Sequence, residues 1–220
     1  MTLFRRNSDS TDVETARQKL VDQLVSRDRI SREETIEALR TVPRHKFVPA
    51  SSRDQAYVDS PLPIGNGQTI SAPHMVGIMC DLLEVTPGDR VLEIGTGCGY
   101  HAAVTAEIVG DEHVYSVEYI PELATRAEQQ LTDLGYDINL RQNDGWTGWP
   151  NAAPFDAAYL TCAADTVPDS ILSQLKPGGR MVAPIGTGRQ TLYRYFRRED
   201  GYERENHGGV RFVQMQRSEN

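Results

Sequence analysis

Val91-Leu92-Glu93-Ile94-Gly95-Thr96-Gly97-Cys98-Gly99 decides the fold of this chain. A short, mostly apolar run of this kind reads as a buried strand. The glycines that follow let the backbone turn tightly and bring its amides close to a ligand at the start of a helix. The pattern is ExGxGxG. A dinucleotide fingerprint needs GxGxxG, and its third position here is Tyr100, which predicts crowding of a pyrophosphate. The loop therefore suits a nucleoside that carries no diphosphate.

Outward from that loop the period alternates. Residues 90–94, 113–118, 138–142, 155–160 and 180–184 read as short strands, and 100–109, 121–134 and 168–175 as helices between them. Strands alternating with helices predict a doubly wound, mostly parallel sheet with right-handed crossovers. The tail is different. Residues 191–197 and 209–215 flank a turn at Gly201 with no helix between them, which predicts an antiparallel edge.

Upstream, residues 1–10 are polar and expected to fray. Capping signals at Thr11–Glu14 and Ser31–Glu34 predict two helices before Pro43, an N-terminal helical extension. The chain from Pro43 to Pro73 is broken by proline and glycine, and a segment so irregular in a small domain suggests a functional surface. Ser71-Ala72-Pro73 then starts a helix with Met75, Val76, Met79, Leu82 and Leu83 on one face, ended by Pro87-Gly88. The expected organisation is an N-terminal, acceptor-facing part, 1–88, packed on a ligand-binding α/β core, 89–220, as one compact domain.

Composition narrows the classes. The 220 residues carry 23 basic and 31 acidic side chains, a net charge of −8, which argues against a nucleic-acid binder with an extended basic surface. Lys19, Lys46 and Lys176 are the only lysines. A salt-rich cytoplasm favours such a chain, and so does a GC-rich genome. The longest apolar runs are a few residues, so no membrane span or secretory leader is expected. Three cysteines without a CxxC and five histidines without HExxH indicate neither a disulfide framework nor a metal site. A reducing cytoplasm and a monomer are the expected setting.

Two carboxylates follow the next strands. Glu118 ends one of them, about 20 residues past the glycine loop, where a carboxylate can accept from both ribose hydroxyls. Asp144-Gly145 follows the third strand, placed to meet an adenine edge. Together with the loop, these resemble the class I S-adenosylmethionine-dependent methyltransferases. Glu93 has a second reading, a carboxylate bracing the turn through the loop amides.

Pro61-Leu62-Pro63-Ile64-Gly65-Asn66-Gly67-Gln68-Thr69-Ile70-Ser71-Ala72-Pro73 is more specific. With Val42–Pro49, Tyr57, Asp59, the run 144–150 (Asp-Gly-Trp-Thr-Gly-Trp-Pro) and 175–180 (Leu-Lys-Pro-Gly-Gly-Arg), it resembles the protein-L-isoaspartate O-methyltransferases over nearly the whole chain. That resemblance implies methyl transfer from S-adenosyl-L-methionine to the free carboxylate of isoaspartyl, or D-aspartyl, residues in damaged proteins, which are then the partners. It implies that Ser71 is the active-site serine. Cofactor binding would involve Thr69, Ile70, Glu93, Gly95, Thr96, Gly97, Cys98, Gly99, Glu118, Asp144 and Gly145. Acceptor binding would involve Leu62, Ile64, Val213 and Gln214.

The chemistry fits those residue types. A carboxylate is already anionic at pH 7 and a sulfonium methyl is already activated, so orientation and exclusion of water are what remain. A serine hydroxyl can orient a carboxylate by donating a hydrogen bond. Ser71 also suits an ordinary N-cap two residues before Pro73. Val213-Gln214-Met215-Gln216 departs from the family's tail, which has a proline and a threonine there, and Cys98 stands where serine is frequent. The altered tail leaves open another acceptor, a small acid or RNA, and a module that binds cofactor without catalysis is the other rival. The remaining expectations are structural. Trp146 and Trp149 pack a loop, Cys162 is a small core residue, His45 braces its loop and His101 lies on a helix. Arg194, Arg197 and Arg198 form a solvated face.

Overall fold

The structure is a computed structural model that describes residues 2–166 and 168–217. In chain order the elements are α1 (Thr2–Ser26), α2 (Glu33–Thr41), β1 (Leu62–Gly65), β2 (Gln68–Ile70), α3 (Pro73–Leu83), β3 (Val91–Ile94), α4 (Tyr100–Val109), β4 (Val114–Glu118), α5 (Pro121–Asp133), β5 (Asn139–Gln142), β6 (Phe155–Leu160), α6 (Asp169–Leu172), β7 (Leu175–Ile185), β8 (Gln190–Arg198) and β9 (Gly201–Val210). The main sheet runs β5-β4-β3-β6-β7-β8-β9. The pairs from β5 to β7 are parallel, and β7-β8 and β8-β9 are antiparallel. The expected doubly wound sheet with an antiparallel edge is therefore present. The strand order reverses between β3 and β6, so a crevice opens at the carboxyl ends of these central strands.

Alternation along the strands feeds two apolar layers. Val91, Ala157, Tyr159 and Val182 join a cluster with α1, α2, α3, α4 and α5. Leu92, Ala158, Leu160 and Met181 join a second cluster with α6 and Tyr195. β3 is buried along its whole length, as a central parallel strand must be. α4 is buried all round except at Glu107, because α2 covers the side that the sheet does not. The first cluster takes residues from both 1–88 and 89–220.

Several local expectations change. α1 begins at Thr2, so Thr11–Glu14 lie inside the helix and residues 2–10 belong to it. No glycine or proline there interrupts it. Ser31 does not cap α2. Its amide and hydroxyl donate to Asp81 on α3, at 2.6 and 3.2 Å, and the cap position, Arg32, makes no side-chain capping bond. The segment 43–73 contains a hairpin, β1-β2, closed by Asn66-Gly67 with φ of 52° and 70°. Asn-Gly is the strongest short hairpin signal, and the surrounding prolines hid it. The last strand is Gly201–Val210 and not 209–215, because the turn falls before Gly201. Arg194 is buried and pairs with Glu84 at 2.7 Å, and the Arg197 guanidinium donates to the Ser173 carbonyl at 2.8 Å, so that face is less solvated than expected.

Gly77 tests the packing of α3. A Cβ at residue 77 would fall 2.4 Å from Ile30 Cγ2 and 3.2 Å from Leu39 Cδ1. Alanine ordinarily gains about 1 kcal/mol over glycine in a helix. Overpacking a filled core costs about 1–3 kcal/mol and should win here. Gly77→Ala is therefore expected to lower the urea midpoint at unchanged m-value; a raised midpoint would mean that Ile30 moves aside freely.

Candidate functional site

The glycine loop leaves β3 at the switch point. Its first amide continues the ladder, Gly95 N donating to Val117 O at 2.8 Å. Gly95 has φ of 96°, and a Cβ there would sit 2.4 Å from Thr161 Oγ1, so only glycine lets the loop pass the end of β6. Gly97 N donates to Glu118 Oε2 at 2.7 Å. Ile120 N donates to Glu118 Oε1 at 2.9 Å. One carboxylate thus ties the glycine loop to the β4-α5 turn, and each oxygen keeps a lone pair for a further donor.

A narrow cleft, open to solvent, lies over this tie. Gly95, Gly97, Glu118 and Gly145 line it, with Ile120 and Leu123 as an apolar wall. Thr69 of the hairpin and residues 213–216 of the tail close it. A second, wider cleft of about 1,040 Å³ runs between Ser71, His74 and Met75 on one side and the segments 187–191 and 209–214 on the other. Thr69, Thr161, Val213 and Gln214 line both. The two spaces therefore share a wall, with Ser71 on the wider side.

The tail is held by backbone and side chain. Ala163 N donates to Val213 O at 2.8 Å, and Met215 N to Ala163 O at 2.9 Å. Gln214 Nε2 donates to Gly186 O and Thr187 O at 3.0 and 3.2 Å. This extended run in place of a strand brings Val213 and Gln214 to the clefts, where sequence expected them. Arg126 on α5 steadies the hairpin through Ile64 O at 2.8 Å.

Other expected residues sit elsewhere. Leu62 and Ile64 are buried in the hydrophobic cluster and line neither cleft, because alternation along β1 turns 62 and 64 inward and 63 and 65 outward. Ile70 and Thr96 are buried, and with Cys98 they line a small cavity behind the loop. Gly99 is the N-cap residue of α4. Asp144 Oδ1 accepts from Trp146 N at 2.9 Å, and its neighbour Gly145 faces the cleft. Tyr100 is buried against Phe47, with ring centroids 5.6 Å apart, so it does not crowd the mouth of the loop and excludes no diphosphate there. Thr161 and Cys162 line the cleft, although Cys162 was expected only in the core. Their signal was available in principle, since both follow the end of a parallel strand.

Ser71 does not cap α3. Ala72 holds that position without a side-chain bond, and Ser71 is half-buried on the wider cleft. Asp59 Oδ1 accepts from His74 N at 3.0 Å and lies 2.8 Å from His74 Nδ1, which fixes the start of the helix beside Ser71.

Glu93 lies below the loop, wholly buried, and lines neither cleft. It accepts from Ser116 Oγ and, at 3.0 Å, from Tyr159 OH. Ser116 Oγ is in turn 2.5 Å from Thr96 Oγ1. Its bracing therefore runs through hydroxyls and not loop amides. Burial pushes the Glu93 carboxyl up to about 8, opposed by the two hydroxyl donors and helped by nearby Glu118. His101 stacks on Tyr159 at 4.2 Å, and burial pulls its imidazole down to about 3, so it stays neutral.

The family model described as protein-L-isoaspartate(D-aspartate) O-methyltransferase matches residues 15–220. A protein-L-isoaspartate O-methyltransferase 2 of Archaeoglobus fulgidus is 53% identical over 93% of this chain and 94% of its own. A protein-L-isoaspartate O-methyltransferase of Methanopyrus kandleri is 52% identical over 91% of each. A solved protein-L-isoaspartate O-methyltransferase superposes with a TM-score of 0.84 at 29% identity, covering 90% of this chain and 65% of that one. A Plasmodium falciparum structure, titled as a beta-aspartate methyltransferase with S-adenosyl-L-homocysteine, shares the fold at a TM-score of 0.79 and 22% identity, over 92% and 99% of the two chains.

Glu93 yields a pH test. A carboxyl raised from 4.5 to about 8 on folding binds more protons in the native state than in the unfolded one between those values. Stability should therefore fall as pH rises from about 4.5 to about 8. Glu93→Gln, which cannot ionise, is expected to flatten that slope in urea midpoints taken across the window. An unchanged slope would place the titration on another group.

Proposed function

The chain belongs to the protein-L-isoaspartate (D-aspartate) O-methyltransferase family, and on that footing we propose that it methylates the free carboxylate of isoaspartyl residues in damaged proteins, with S-adenosylmethionine as donor. The methyl ester formed is labile and closes to a succinimide that reopens partly to normal aspartate, so the outcome is repair. The observation that carries this reading is the wall of Thr69, Thr161, Val213 and Gln214 shared by the narrow cleft over the glycine loop and the wider cleft that holds Ser71. No helix is long and apolar enough to cross a membrane among the described residues.

The donor set suits S-adenosylmethionine. Gly95, Gly97 and Gly145 bring bare backbone to the cleft, and Glu118 offers two carboxylate oxygens suited to a ribose diol. Glu118, the glycine loop and Gly145 would hold it, with Ile120 and Leu123 on an apolar face. When bound, it supplies an electrophilic sulfonium methyl. Residues 1–88 contribute the helices and the acceptor-facing hairpin of one compact domain, and 89–220 the cofactor-binding core.

The protein's own part is positional. An acceptor carboxylate needs no base, so no titrating side chain is required at its oxygens. Ser71 Oγ donates to one oxygen and leaves the other free to attack. Val213 and Gln214 lie along the acceptor chain, and the bound acceptor itself would complete the cover that keeps water from competing. The tail's missing proline and threonine alter side chains at this wall while its backbone bonds to Ala163 are made.

The direct test is labelled methyl transfer to an isoaspartyl peptide beside its normal aspartyl twin. Transfer is expected only to the first, and equal or absent transfer would refute the assignment. Ser71→Ala is expected to lower turnover well over tenfold at saturating cofactor, where tenfold is about 1.4 kcal/mol in the transition state. With no cap bond to lose, its denaturant midpoint should stay near wild type, short of the roughly 0.5–2 kcal/mol of a lost cap. Near-wild-type turnover would remove Ser71 from catalysis.

A further inference from the structure

The wider cleft is charged in one sense. Arg189, Arg211 and His74 line it, and no aspartate or glutamate does. The chain as a whole is net −8, with 31 acidic residues. His74 is already engaged with Asp59 at 2.8 Å. Arg189 and Arg211 are exposed, and among the described residues neither has an ion pair, a side-chain hydrogen bond or an aromatic partner. The chain's other arginines in this half are mostly used. Arg194 pairs with Glu84, Arg198 with Glu203 and Arg217 with Asp165.

Their placement is determined by the ladder. The β8-β9 pairing ends at Gln190↔Val210, and Arg189 and Arg211 each lie one residue beyond it. The adjoining backbone is fixed. Gln190 Nε2 donates to Phe212 O at 2.9 Å, and Phe212 N donates to Gln190 Oε1 at 2.5 Å. Two arginines thus flank the end of the ladder on the cleft that also holds Ser71, and neither is in an ion pair among the described residues. An acidic enzyme repels acidic polypeptides at long range, and a local cationic wall reverses that where the acceptor must lie.

We propose that Arg189 and Arg211 form a cationic clamp that selects isoaspartyl acceptors flanked by aspartate or glutamate. The clamp rests on the reading of the cleft as the acceptor site of an isoaspartyl methyltransferase. It adds no step to the reaction. It acts on acceptor affinity through charge, so its signature is in KM and in salt dependence.

The experiment uses one isoaspartyl peptide frame with serine, glutamate or lysine on either side of the isoaspartyl residue. At low ionic strength the glutamate-flanked peptide should exceed the lysine-flanked one in kcat/KM by about tenfold or more, mainly through KM, and molar potassium chloride should shrink the ratio. The ratio should fall to within about twofold when Arg189→Gln and Arg211→Gln are combined, and persist when both become lysine, because charge and not hydrogen-bond geometry carries the selection. Arg211→Glu alone serves if the double variant does not fold, and should lower the ratio further than Arg211→Gln. A wild-type ratio near one, or a ratio that survives both glutamine substitutions, overturns the clamp. Zero turnover on all three peptides would instead overturn the methyltransferase reading, and the clamp with it.

Discussion

The Glu118 carboxylate accepts from Gly97 N at 2.7 Å and from Ile120 N at 2.9 Å, and the cleft over the glycine loop is built on that bridge. Gly97 belongs to the turn after β3 and Ile120 to the turn after β4. These turns adjoin only because the two strands are parallel neighbours in register, Ile94 opposite Val117. Charge-assisted bonds of this kind are worth about 1.5–3 kcal/mol each, more than a neutral bond. The glycine loop therefore has its height over the sheet set by a side chain that also lines the cleft.

Below the bridge a second carboxylate works in the opposite regime. Glu93 has no solvent, and its two oxygens are met by hydroxyls from β4 and β6. Ser116 passes that link to Thr96 in the loop. A buried polar network that is fully paired fixes one arrangement, whereas an unpaired member would be costly. The two glutamates thus hold the same loop from two sides. One is available to a ligand, and the other is neutralised by burial.

The wider cleft is built differently, from pieces far apart in sequence. A hairpin closed by Asn66-Gly67, the start of α3 and a tail after β9 meet around one cleft. Each has its own tether: Arg126 to Ile64, Asp59 to His74, and Gln214 to the loop at 186–187. These are a few bonds each, mostly between a side chain and the backbone, on otherwise irregular chain. Such segments can change side chains, as the tail has done at Val213–Gln216, while their backbone anchors persist.

Read alone, the sequence determined the repeating units. The period change after Gly88, the glycine loop, the acidic residues at successive strand ends and the α3 stripe are local patterns, imposed by hydrogen-bond geometry and one-sided burial within a few residues. They were enough for the sheet, for its antiparallel edge and for Gly95, Gly97 and Glu118 on the cleft. Tertiary structure decided which way side chains point where patterns were weak. Leu62 and Ile64 turn inward because the hairpin lies on the core, and Tyr100 turns away from the loop to fill space beside Phe47. Ser31 abandons a cap for Asp81, fifty residues distant, and Ser71 is left uncommitted at its helix start. Thr161 joins the site because β6 pairs with β3. Each of these outcomes depends on which distant neighbour buries a surface or offers a hydrogen-bond partner, and that is fixed only when the elements pack.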